Sequence, residues 1–182
     1  MDPSTLDCLN AVAQGDGEQN RDGKQIKMTK ISIKGHIRIN AQADQTSTDM
    51  ASSFFVALVL DTQTNGAQLN SEDVFTNISG DASNATLCFR NLQYSKRFVI
   101  LRSEVIRAEQ PTIVWDGTNI EQGGYQIPFE WHVDLNHVCN YKGTTSVVTN
   151  IVDNSLHMIA YDDTSSNPPA VLSYNARLRF YG

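Results

Sequence analysis

Residues 125–138 alternate with period two along the whole run. Tyr125, Ile127, Phe129, Trp131, Val133 and Leu135 point one way, and Gln126, Glu130, His132, Asp134 and Asn136 the other. Strict alternation of this kind predicts a strand with one face in a core and one in water. The same pattern recurs over residues 26–39, where Ile31, Ile33, Gly35, Ile37 and Ile39 oppose Lys30, Ser32, Lys34, His36 and Arg38. Before residue 29 the apolar positions are Ile26 and Met28, so the phase shifts, and a bulge near Thr29 accounts for the change. Over residues 170–181, Leu172, Tyr174, Ala176, Leu178 and Phe180 alternate with Ser173, Asn175, Arg177, Arg179 and Tyr181.

Other segments read as strands with less contrast. Residues 53–61, Ser-Phe-Phe-Val-Ala-Leu-Val-Leu-Asp, are apolar on both faces, as in a strand covered on both sides. Residues 96–107 set Phe98, Ile100 and Ile106 against Val99, Leu101 and Val105. Shorter runs lie at 112–115, 146–152 and 155–161, with Asp153-Asn154 as the turn between the last two. Thr64-Asn65-Gly66-Ala67 is a turn-rich loop, and Ser71 can cap a short helix through Phe75. Eight strands with at most one or two short helices, in one domain of 182 residues, predict an all-β fold. The expected form is a single antiparallel jelly roll of two four-stranded sheets. Residues 1–24 form an N-terminal segment leading into the first strand. An immunoglobulin-like sandwich is the rival, but it usually has shorter strands.

Composition narrows the chemistry. Fourteen Lys and Arg stand against twenty Asp and Glu, a formal net charge of −6, which taken alone argues against nucleic-acid binding. Cys8, Cys88 and Cys139 make neither a disulfide framework nor a zinc site. No window approaches a membrane span, and the first residues lack the features of a signal peptide. The sequons at Asn77 and Asn84 therefore read as chance matches. His132-x-Asp134-x-Asn136 places three potential ligands on one strand face, but a polar strand face is the commoner meaning. Asp162-Asp163 lacks calcium-ligand spacing. No nucleophile elbow, Walker loop or H-E-x-x-H occurs. Neither a catalytic set, a metal nor a cofactor is expected.

Several segments resemble a known family. They are Gln14-Gly15 with Arg21-Asp22-Gly23-Lys24-Gln25-Ile26; Val59 through Ala67; Asp73-Val74-Phe75; and Arg90-Asn91-Leu92 through Arg97-Phe98-Val99-Ile100-Leu101. Across residues 14–107 their order and spacing resemble capsid proteins of small circular single-stranded DNA viruses that encode a replication initiator. Those proteins are similar in architecture to geminivirus coat proteins and satellite necrosis virus capsids. The resemblance implies a structural subunit that assembles with copies of itself, about sixty in the simplest icosahedral shell. It implies nucleic acid, single-stranded DNA, as a second partner and a host receptor as a third, with no membrane. The location implied is the virion, and the host nucleus or cytoplasm during assembly. Such proteins commonly begin with an arginine-rich arm that packs the genome and directs nuclear import; residues 1–24 show no such arm and no nuclear localisation signal. A β-sandwich module that binds carbohydrate or a receptor without forming shells is the alternative.

The resemblance also supplies strand neighbours, placing the first, third, sixth and eighth strands in one sheet. Twelve of the fourteen basic residues then fall in or just before those strands: Arg21, Lys24, Lys27, Lys30, Lys34, Arg38, Lys96, Arg97, Arg102, Arg107, Arg177 and Arg179. Glu104 is the one acid expected within them, whereas Glu130 and Asp134 are expected on the other sheet. The resulting expectation is a basic inner sheet contacting phosphates through Lys27, Lys30, Lys34, Arg38, Arg102, Arg177 and Arg179.

Overall fold

A computed structural model describes residues 5–39, 42–45, 51–76, 88–109, 113–115, 120–122, 125–162 and 171–182. The strands in chain order are β1 Thr5–Cys8, β2 Gln25–Ile39, β3 Gln42–Gln45, β4 Ala51–Asp61, β5 Phe75–Thr76, β6 Phe89–Arg90, β7 Phe98–Glu109, β8 Ile113–Trp115, β9 Ile120–Gln122, β10 Tyr125–Asn140, β11 Ser155–Asp162 and β12 Val171–Tyr181. One short helix, α1 Ser71–Val74, precedes β5. Both sequons lie outside the described residues.

Every pairing between these strands is antiparallel. One main sheet has the order β1-β11-β4-β7, the other β10-β2-β12, with a small β3-β9-β8 sheet and a β5-β6 pair beside them. The fold is all-β and jelly-roll-like, as the alternation predicts. The bulge also falls where expected: Lys30 pairs with Asp134 and Arg179, Met28 with His137 and Phe180, and Thr29 is skipped in both ladders.

Strand neighbours differ from the expected order. The third predicted strand, β7, pairs with β4 in the opposite sheet from β2 and β12, while the fifth, β10, pairs with β2. Alternation identifies a strand's two faces but carries no information about its neighbour. The expected sixth strand is a 3-10 turn, Val148–Asn150. There the Asn150 amide donates to Thr145 O and Oγ1, a local bond that competes with a ladder, and Val147 and Val152 stay exposed. The larger sheets therefore have four and three strands among the described residues.

The main core lies between these sheets. Phe54, Val56, Leu58 and Leu60 of β4 and Leu156, Met158 and Ala160 of β11 meet Ile26, Met28, Ile31, Ile33, Ile37, Phe129, Trp131 and Leu135 of the facing sheet. Gly35 is small for a packing reason: a Cβ there would sit 2.8 Å from the Phe129 ring. On the far face of β4, Phe55, Ala57 and Val59 pack with Leu69, Val74 and Phe75, so the segment after β4 folds back as a lid. The lid begins at a tight turn, with Asn65 and Gly66 both at positive φ and Ala67 N–H donating to Thr64 O. Its helix is capped by Asn70, whose side chain accepts from Glu72 N–H, rather than by Ser71, which instead accepts from the Tyr161 hydroxyl. In β7 a register shift at Leu58/Val59 returns Ile106 to the inter-sheet core, where uninterrupted alternation would place it with Phe98.

The segment before β2 is pinned to this sandwich. Buried Asn10 accepts from Leu156 N–H and donates to Asn154 O. Buried Arg21 donates to Val12 O, Gly23 O and Gly143 O and lies 4.2 Å from the Tyr141 ring centroid.

Candidate nucleic-acid interface

Antiparallel register turns the three polar faces of β10, β2 and β12 into rows across one sheet. Asp134, Lys30 and Arg179 form one row; His132, Ser32 and Arg177 the next; then Glu130, Lys34 and Asn175; then Pro128, His36 and Ser173; and finally Gln126, Arg38 and Val171. Lys27 stands beside Tyr181 past the bulge. The opposite face of these strands is the core, so the long polar side chains lie on the sheet's outer surface.

Six of the seven expected phosphate contacts, Lys27, Lys30, Lys34, Arg38, Arg177 and Arg179, come together there. Arg102 does not. It sits on β7 at the edge of the other sheet, 3.6 Å from Glu104 and 5.2 Å from the Trp131 ring centroid. The Trp131 indole N–H donates to the same Glu104 carboxylate at 3.0 Å. Glu104 thus ties the two sheets together instead of interrupting a basic surface.

Two more of the arginines counted towards the basic sheet, Arg21 and Arg97, have structural partners, as does Arg90, which lies outside that count. Arg21 is buried on carbonyls. Arg97 makes a two-pronged pair with buried Asp61, both contacts 2.8 Å, and this pair raises its already high affinity for the proton. Arg90 donates to Ser95 O and Phe98 O. The basic surface is therefore smaller than the sequence count.

It also holds carboxylates. Because β10 pairs with β2, Glu130 and Asp134 lie on this face rather than on the other sheet. Lys34 Nζ is 2.7 Å from Glu130 Oε1, His132 Nε2 is 2.9 Å from the same oxygen, and Lys30 Nζ is 4.0 Å from Asp134. The Lys34 ammonium holds the Glu130 carboxyl below the usual carboxylate range. Both side chains are largely solvated, at 69% and 47% exposed, so the pair contributes little to stability. Arg177, Arg179 and Arg38 have no acidic partner among the described residues. Six cations against two carboxylates leave the face positive on a chain whose net charge is negative.

The middle rows enclose an open groove of about 610 Å³. Short Ser32 and Ala176 lie among long Lys34, Arg177, Arg179, Glu130 and His132, with Asn175 at one side. His132 Nδ1 is 3.0 Å from Ser32 Oγ, so the His132-x-Asp134 pattern is absorbed into cross-strand bonds rather than a metal cage. No group of His, Cys, Asp and Glu able to hold a metal occurs among the described residues.

A second polar cluster escaped sequence reasoning. His157 is fully buried under the lid, its Nε2 2.7 Å from Ser155 Oγ and its Nδ1 without a partner. Ser155 Oγ lies 2.6 Å from Thr64 Oγ1, and burial pushes the His157 imidazole down to about 4. The legible signal was the polar residues interrupting an otherwise apolar 155–161 run. The cluster is sealed from solvent, so it braces the lid turn rather than serving a ligand.

The chain matches the geminivirus coat protein/nuclear export factor BR1 family over residues 2–181, nearly its whole length, and it belongs to that family. No curated protein matches it in sequence. Membership supports a structural role as a viral coat protein and virion component, and it implies self-association and nucleic-acid binding in general. No helix among the described residues is long and apolar enough to cross a membrane.

Proposed function

We propose that this member of the coat-protein family is a single jelly-roll domain that assembles into a small closed shell of about sixty copies, with the outer face of the β10-β2-β12 sheet turned inward against a single-stranded DNA genome. The observation that carries this reading is the row pattern. Lys30 stands beside Arg179 and Lys34 beside Asn175, with Arg177 between those rows. Such spacing suits successive phosphates, and the contact is independent of base sequence. Each copy needs only a weak site, because a shell presents many at once. Glu130 and Asp134 keep the face from being uniformly basic and leave it dependent on multiple copies for retention.

Electron microscopy of the purified chain, together with the ultraviolet absorbance ratio of the particles, tests the proposal. Closed particles carrying nucleic acid are expected. Combined Lys34→Gln, Arg38→Gln and Arg177→Gln substitutions should leave particles that form but hold less nucleic acid. Dispersed small species, or particles whose content is unchanged by the substitutions, would overturn it.

A further inference from the structure

The groove on the outer face has the donors of an anion seat and one group of the wrong sign. Arg177, Arg179, Lys34, Asn175 and Ser32 all present hydrogen-bond donors to it. Glu130 alone brings a carboxylate, and its Oε1 oxygen takes both Lys34 Nζ at 2.7 Å and His132 Nε2 at 2.9 Å. A carboxylate oxygen accepting two donors at these distances occupies them as a phosphate oxygen would. The pair is also exposed, and exposed pairs exchange partners at little cost.

We infer that Glu130 is an internal counter-anion that holds the groove's Lys34 until a phosphodiester of single-stranded nucleic acid displaces it. Resting on the phosphate-contact reading above, the inference adds how that site is moderated. Arg177 and Arg179, without acidic partners among the described residues, make the first contact. Lys34 joins only when Glu130 gives way. An unassembled subunit therefore binds weakly, and the full contact forms where phosphate is concentrated. Asp134 provides the contrast, since its oxygen stands 4.0 Å from Lys30 and it does not line the groove.

Fluorescence anisotropy of the full chain with a labelled oligothymidylate, at several salt concentrations, tests this. Glu130→Gln should tighten binding roughly threefold to tenfold at low salt and steepen the log–log salt slope by about 0.7, one added phosphate contact on a single strand. Asp134→Asn removes the same charge but should tighten binding less and leave the slope unchanged. Lys34→Gln should cost more affinity in the Glu130→Gln background than alone, because only there is Lys34 free to bind. Inorganic phosphate should compete only at millimolar concentration; micromolar competition would mark a seat for free phosphate and overturn the diester assignment. Equal effects of Glu130→Gln and Asp134→Asn would reduce Glu130 to general charge and overturn the inference. Arg177→Gln with Arg179→Gln separates the two claims: if that pair weakens binding while Glu130→Gln does nothing, only the counter-anion fails. If neither changes binding, the phosphate-contact reading fails.

Discussion

The two main sheets treat their outer faces in opposite ways. In the four-stranded sheet, β4 is apolar outside as well as inside: Phe55, Ala57 and Val59 are covered by Leu69, Val74 and Phe75 from the lid. The three-stranded sheet carries charged rows outside and leaves them open around a groove. Among the described residues, one outer face is covered by the chain's own lid and the other is left uncovered. The difference is written in the strands themselves. A continuous apolar run such as β4 needs cover on both sides, whereas strict alternation such as β2, β10 and β12 leaves one side to water.

The sharpest way to break this contrast is to open the covered face. Phe75→Ala should cost about 3–5 kcal/mol, because it empties space beside Phe55, whose ring centroid is 4.9 Å away. Urea denaturation of the full chain measures it. On the bare face, Arg177→Gln should shift stability by no more than about 0.5 kcal/mol. Similar costs at the two positions would show that the faces are not differently used.

Acid should act on the covered side next. Folded His157 titrates at about 4, below its ordinary value of 6.5. Between those values the unfolded chain binds a proton that the folded chain refuses, so stability falls as pH drops from about 6.5 towards 4. This group's share of the loss is about 3 kcal/mol, set by the shift between the two states. Denaturation midpoints across that window should fall for the wild type and fall less for His157→Leu, which cannot titrate. Parallel curves would remove His157 from the account.

A smaller effect belongs to the contact between the sheets. Glu104→Gln keeps an acceptor for the Trp131 indole but discharges the partner of Arg102, and should cost about 1 kcal/mol or less in the same denaturation assay. A loss of several kcal/mol would mean that this edge is a principal brace.

The bulge at Thr29 and the two-sided cover of β4 were legible because each follows from where apolar residues fall. That Lys30, Lys34 and Arg38 share one face of their strand, and Arg177 and Arg179 one face of theirs, was legible for the same reason, whereas the pairing of those two strands was implied only by the family resemblance. What did not show was which strand lies beside which. Placing β7 with β2 put Arg102 on the wrong sheet, and separating β10 from β2 hid the contacts of Glu130 with Lys34 and His132. Charge counts were misleading for a related reason. Arg21 and Arg97 look like surface cations in sequence, but backbone carbonyls and buried Asp61 engage them, contacts that only the folded chain creates. In the Ser155–His157–Thr64 cluster, the polar interruptions at Ser155 and His157 mark two members locally, but Thr64 lies 91 residues before Ser155, so the pattern does not say what they meet.

The salt dependence of oligothymidylate binding tests the central claim most directly. Each phosphate contact on a single strand contributes about 0.7 to the log–log slope. Arg38→Gln, Arg177→Gln and Arg179→Gln together should therefore flatten the slope by about 2. Neutralising three exposed lysines elsewhere, Lys24, Lys96 and Lys142, should leave it nearly unchanged. Equal flattening by both triple variants, or none by the first, would contradict the assignment of this sheet face to nucleic acid.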